Sequence, residues 1–482
     1  MAAQPAVVTL AVLSALTKAI CTAVIMKASS AAAAMSAVSS ALMPELIMKL
    51  IKKWESGTVS NVVNATSVTS DAADSKNVGG LVGTNTGSVT NGRNNGTITG
   101  TNYVGGLVGD NANANSILTN LVNDSSAEIT GVNNVGGIAG NNAGTITTGK
   151  ADDEDEKANL INRGSITGHT NVGGVAGTNS GTIENANNDV ELNVNPDGKD
   201  DAQFFGGIAG VNTGTITNAT NTANVNADGA SYVGGIVGLN NGTLKDMAGN
   251  SGNVTGKDFV GGVVGQNNYA INGVNASNTG VVNATDGGAG GLIAHNTGVL
   301  NNITMINAGL VTGTGTDGDS GTGGLIGYNE GDITNSVLEN TVGFEINDET
   351  FDGVVTGVSN VGGVIGINTG KIENTSLMNK ADITVNVDEN ENAENIGGLI
   401  GKNTGTVTGG RDASDSYYKY QIYNNGVITV NGNGSNIGGL IGNNEINGSL
   451  SKGYNTGAIY ASGSKNCRRH CWQQRRHYRR GI

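Results

Sequence analysis

Apolar positions in this chain come in two spacings. Pairs of adjacent aliphatics, such as Leu81-Val82, Ile236-Val237 and Leu399-Ile400, follow a double glycine. A few residues later a single aliphatic sits between polar neighbours, as in Thr215-Ile216-Thr217, and a third run such as Ser165-Ile166-Thr167 usually follows. Each run is short, rich in β-branched side chains and bounded by Gly and Asn, which predicts a strand between sharp turns. No window of the repeat region places apolar residues at the i, i+3, i+4 and i+7 spacing, so amphipathic helices are excluded there.

The pattern recurs. Its full phrase first stands as Val78-Gly79-Gly80-Leu81-Val82-Gly83-Thr84-Asn85-Thr86-Gly87. The leading glycine returns at Gly105, Gly136, Gly173, Gly206, Gly234, Gly261, Gly290, Gly323, Gly362, Gly397 and Gly438, twelve copies spaced 26 to 41 residues apart. Six residues after each stands an asparagine: Asn85, Asn111, Asn142, Asn179, Asn212, Asn240, Asn267, Asn296, Asn329, Asn368, Asn403 and Asn444. The glycine at plus four is replaced once, by Ala294, and the one at plus eight by Asn113, Tyr269 and Ile446. Glycine supplies the positive φ of a sharp corner, and Asn tolerates it better than most residues. Three short strands and three corners make one coil, and stacked coils pair in parallel about 4.8 Å apart, giving some 60 Å for about twelve coils. Like asparagines then lie above one another and form amide ladders. The expected fold is all-β, a parallel β-solenoid over residues 56–464. The Gly- and Asn-rich composition alone would suit disorder, but linkers lack paired aliphatics at fixed offsets.

Charge narrows the partners. The net charge of −14 hides a body of 14 Lys and Arg against 38 Asp and Glu, a balance of −24, because both ends are basic. Such a surface excludes nucleic acid, which needs clustered cations. The three cysteines, Cys21, Cys467 and Cys471, leave the repeats with none, so ladder hydrogen bonds and a narrow aliphatic core must hold the coils.

Both ends abandon the repeat composition. Residues 1–55 are apolar and helix-compatible, with runs at 5–26 and 31–42, which suits a signal peptide or membrane segment. However, Lys18 interrupts the first run and no basic residue precedes it. Read one base out of frame, the codons from Leu10 to Lys18 permit Gly-Gly-Ile-Val-Gly-Val-Asn-Lys-Gly, and those from Ser36 to Glu45 permit a second copy. The tail at 465–482 permits Val-Gly-Gly-Ile-Ala-Gly-Asn-Asn-Glu-Gly under the opposite shift, with Trp472 falling on the plus-four glycine. Both ends read best as out-of-frame repeats. That accounts at once for Cys467, His470, Cys471 and His477, which would otherwise suggest zinc ligands.

Catalytic patterns are missing from the sequence. There is no H-E-x-x-H, His169 and His295 are the only histidines of the body, and no acid–base cluster of a sugar-cleaving β-helix stands out. No cofactor or metal is expected. The acidic run Asp152–Glu156 suits a solvated loop better than a calcium site. Threonine pairs such as Thr145 and Thr147 suggest ice-binding arrays, but Glu184, Lys245, Asn301 and Glu373 break the pattern. The best candidate contacts are Tyr417, Tyr418, Tyr420 and Tyr423, clustered on an insertion, since Tyr joins large area to a polar handle.

The Gly-Gly-Leu-Val-Gly, Gly-Gly-Ile-Val-Gly and Gly-Gly-Leu-Ile-Gly phrases with their trailing Asn and Gly resemble GLUG-motif repeats. These occur in large bacterial surface proteins and adhesins, and beside the catalytic domain of some immunoglobulin-A-cleaving zinc peptidases. The resemblance covers residues 57–464. It implies a non-catalytic, adhesin-like scaffold at the cell surface or outside the cell, meeting a host or cell-surface protein or a glycan. It also allows the stalk of a secreted enzyme whose catalytic domain lies elsewhere. Unpaired solenoid ends would favour self-association.

Overall fold

A computed structural model describes residues 57–462, apart from 71–74, 148–159, 195–200, 247–248, 347–348, 388–391 and 410–420. The N-terminal apolar segment, the basic tail and the acidic run therefore lie outside the described residues. The chain divides into two compact units, Met1–Gly280 and Val281–Ile482. Both are parallel β-solenoids, and no α-helix occurs among the described residues.

Each coil has three faces. In the coil opened by Gly206, the first face is Ala209–Asn212, and the second is Thr215–Thr217 continued by Thr220–Asn221. The third is the long strand Val225–Gly234, which carries the chain into the next coil. The second face breaks at a residue with positive φ, here Asn218 (φ 50), and the third at Tyr232 (φ 61), with a further irregularity in this coil at Gly229 (φ 87). The expected third strand is thus two segments meeting at an angle.

Register is strict. On the first face of the N-terminal unit, Val82, Val108, Ala139, Ala176, Ala209, Val237 and Val264 stand in one column. The C-terminal unit fills its column with Ile293, Ile326, Ile365, Ile400 and Ile441. The aliphatic that follows the second face's first threonine forms another column, Ile146–Ile183–Ile216–Leu244, with three of the four fully buried. Each such side chain contributes about 1.5–3 kcal/mol on burial. No coil could bury its own column alone, which is why the repeats stack.

The motif glycines serve a purpose other than the expected one. None of them has positive φ; the left-handed residue sits two places before the leading glycine, as in Asn77, Asn134, Asn171, Asn360, Asn395 and Asn436. The glycine at plus four is there for space. A Cβ on Gly109 would lie 2.2 Å from the carbonyl carbon of Asn77 in the preceding coil, and one on Gly177 would lie 2.4 Å from that of Asn134. Left-handed backbone and facing glycine are two halves of one corner.

Asparagines fill the interior in two rows. In the first, Asn85, Asn111, Asn142, Asn179, Asn212 and Asn240 each donate from Nδ2 to Oδ1 of the next coil's Asn at 2.7–2.8 Å, as far as Oδ1 of Asn267 within this unit. Asn296, Asn329, Asn368 and Asn403 do the same in the C-terminal unit, ending on Asn444. A second row was not anticipated. It runs through Asn64, Asn94, Asn123, Asn162, Asn188, Asn221, Asn250 and Asn278 in one unit, and Asn307, Asn340, Asn379, Asn424 and Asn455 in the other. These amides press on the second glycine of the motif: a Cβ on Gly174 would lie 2.4 Å from Asn188 Oδ1.

One insertion departs from the parallel plan. Val342–Ile346 and Glu349–Asp352 pair antiparallel as a hairpin between Asn340 and Gly353.

Candidate recognition surface

Function on a solenoid must come from side chains that point outward, and the corner before each motif presents two of them. The left-handed residue sits on one side, and the residue five places after the leading glycine sits on the other. Asn77 Nδ2 donates across this corner to Thr84 Oγ1 at 2.9 Å. In half of the coils this place is Asn, which tolerates the left-handed φ, and Asn171 donates back to Asn134 at 2.8 Å. These outer amides donate toward the preceding coil, opposite to the inner rows.

Tyr103 (φ 51) breaks the rule alone, and three consecutive coils break it together with Phe204 (φ 62), Tyr232 (φ 61) and Phe259 (φ 51). A bulky residue at positive φ is an outlier, disfavoured by about 1–2 kcal/mol relative to ordinary backbone. The three rings stack, with centroids 5.3 Å apart for Phe204 and Tyr232 and 5.1 Å apart for Tyr232 and Phe259. Such pairs return about 0.5–1.5 kcal/mol each. Both faces of the central Tyr232 are covered by its neighbours. Burial, reinforced by the charge of Asp258, raises the Tyr232 phenol above its ordinary value. Across the corner, Val211 and Leu239 stand in register where other coils carry Thr84, Asp110, Asn141 or Thr178. The result is an apolar patch at places that most other coils of this unit fill with polar side chains.

The tyrosines expected to make contacts fare differently. Tyr417, Tyr418 and Tyr420 lie outside the described residues. Tyr423 is not on an insertion but inside the strand Ile422–Asn424, 7% exposed, with its ring stacked 5.4 Å from Tyr454. It is part of the wall, because it shares a column with Met378 and Tyr454. Burial raises its phenol pKa, and Lys380 opposes that shift only in part.

The two histidines of the body do not come together. Nε2 of His169 is 3.5 Å from Asp201, and His295 stacks on Tyr328 at 5.0 Å while meeting Glu330 at 2.7 Å. Among the described residues no group of His, Cys, Asp and Glu is placed to hold a metal ion, and no helix is long and apolar enough to cross a membrane. The corner aromatics escaped sequence reasoning, although Asn two places before the glycine pair in half the copies was a signal that this position is special. Comparison of the chain with family profiles, with curated proteins and with solved structures gives no match.

Proposed function

We propose that this is a GLUG-type repeat protein serving as a non-catalytic, adhesin-like scaffold at the cell surface or outside the cell. Its outward side chains attach it to a host or cell-surface protein. The observation that carries this reading is the row Phe204–Tyr232–Phe259, three aromatics kept where the backbone disfavours them and where Asn would serve the fold better. Aromatic anchors ringed by polar groups are typical of protein contacts. Both faces of Tyr232 are covered, so a sugar could not lie flat on that ring, which supports a protein partner for this patch.

The triple variant F204N/Y232N/F259N tests the proposal, since it installs the residue that neighbouring coils already use. Beads coated with the full chain are applied to cultured host cells and to purified matrix proteins. Adhesion by the wild-type chain and a loss of about tenfold or more in the variant, at unchanged folding, are expected. Equal adhesion by the two proteins would overturn the reading.

A further inference from the structure

In the C-terminal unit the outer corner row has no side chain at Gly288 and Gly321 and resumes at Asn360, Asn395 and Asn436. Asn436 donates to Asn395 at 2.9 Å and Asn395 to Asn360 at 2.8 Å, each amide passing its hydrogen to the coil before. Asn360 is the last of this row. Its Nδ2 finds only the carbonyl of Ser320, at 3.4 Å, the outer limit of a hydrogen bond. A side chain cannot be restored at the missing rung, because a Cβ on Gly321 would lie 2.4 Å from the carbonyl oxygen of Gly327.

Beside this end of the row opens a cleft of about 440 Å³, to which Thr316, Ser359, Asn360, Glu394, Asn395 and Lys402 contribute. Val358 is the only apolar side chain among its lining residues. The volume is that of a small-molecule site, roughly 300–1,000 Å³, yet such sites are mostly apolar and this one is not. An apolar ligand would gain little here. An anion would meet the Glu394 carboxylate, and Lys402 is already engaged by Glu445 at 3.3 Å. A cation would meet Lys402. What remains is a compact, neutral ligand that both donates and accepts hydrogen bonds.

We propose that this cleft binds one residue of a neutral glycan, whose hydroxyl or ring oxygen accepts from Asn360 Nδ2 in place of the missing rung. Hydroxyls on the same sugar can donate to Glu394 and exchange hydrogen bonds with Thr316. The site lies in the other unit from the aromatic row and does not depend on it, so the two proposals fail separately.

The test is calorimetric titration of the full chain with glucose, galactose and N-acetylglucosamine, with glucuronate and glucosamine as charged comparisons. Asn360→Asp keeps the Oδ1 that Asn395 needs and a side chain that tolerates φ 53, while removing the donor. Weak binding of at least one neutral sugar is expected, reduced about five- to tenfold in Asn360→Asp, as for loss of one hydrogen bond. Thr316→Ala and Glu394→Ala, on exposed side chains, should each weaken it and carry the test if Asn360→Asp does not fold. The F204N/Y232N/F259N variant should bind sugar as the wild type does. No binding of any neutral sugar, binding of a charged sugar alone, or equal affinity in the cleft variants would each overturn the proposal.

Discussion

Replacing Asn240 by Ala tests the inner rows most directly, because its neighbour in sequence provides the control. Asn240 is fully buried; it accepts from Asn212 at 2.8 Å and donates to Asn267 at 2.8 Å. Asn240→Ala therefore leaves a donor on Asn212 and an acceptor on Asn267 unmatched in the interior. Each such buried group costs about 1–3 kcal/mol, so a total of about 2–6 kcal/mol is expected. Asn241 is also an amide in contact with the next coil, accepting from Asn268 at 2.9 Å, but it is exposed. Asn241→Ala should stay within about 0.5 kcal/mol. A repeat array need not unfold in one step, so native-state hydrogen exchange is the better assay than a melting point. Amides in the coils of Asn212 and Asn267 should open at least about thirtyfold more often in Asn240→Ala, following about 1.4 kcal/mol per tenfold. Equal protection in the two variants would refute the ladder as a source of stability.

Other outcomes follow from the corners and the wall. Gly109→Ala drives a Cβ to within 2.2 Å of Asn77 backbone and should destabilise its coil by about 3 kcal/mol or more, seen as local loss of exchange protection. Tyr232→Asn relieves left-handed strain while losing two ring stacks, so thermal stability should change by no more than about 1 kcal/mol. Tyr423 and Lys380 both hold their protons more tightly when folded, Tyr423 through burial and Lys380 through its hydrogen bond to Glu339. A raised folded pKa gives stability that is present below the unfolded values of 10.0 and 10.5 and lost as pH rises through the folded ones. Denaturant titrations should therefore show stability falling above about pH 10, with Tyr423→Phe flattening that fall.

How much of this was legible in the sequence depended on spacing. The first asparagine row could be read because nothing is inserted between the leading glycine and plus six, so the same offset recurs in all twelve copies. The second row was hidden because insertions precede it: Asn94 follows Gly79 by 15 residues, while Asn162 follows Gly136 by 26. Only a local Asn-x-Gly echo, as at Asn94-Asn95-Gly96 and Asn424-Asn425-Gly426, could have revealed it. The glycines pointed to corners, but not to which residue turns them. In Gly109 and Asn77 the strain and the space belong to different coils, and no sequence window contains that pairing. Without that pairing, nothing distinguishes Phe204, Tyr232 and Phe259 from ordinary strand aromatics. The cleft beside Asn360 depends on a missing side chain at Gly321, and glycine is too common in this chain to mark a vacancy.

The inner rows also set how such a gene can change. Within a unit, every amide joins a copy of itself, so nothing in the joint records how many coils there are. Excision of residues 206–233 would set Asn179 against Asn240 and Asn188 against Asn250, the same groups they now meet in Asn212 and Asn221. Recombination between repeats can therefore lengthen or shorten the protein by whole coils at almost no energetic penalty. Loss of one residue inside a coil, by contrast, would swing one amide off its neighbour and leave buried donors facing nothing. Length is free to drift, while the contents of each coil are not.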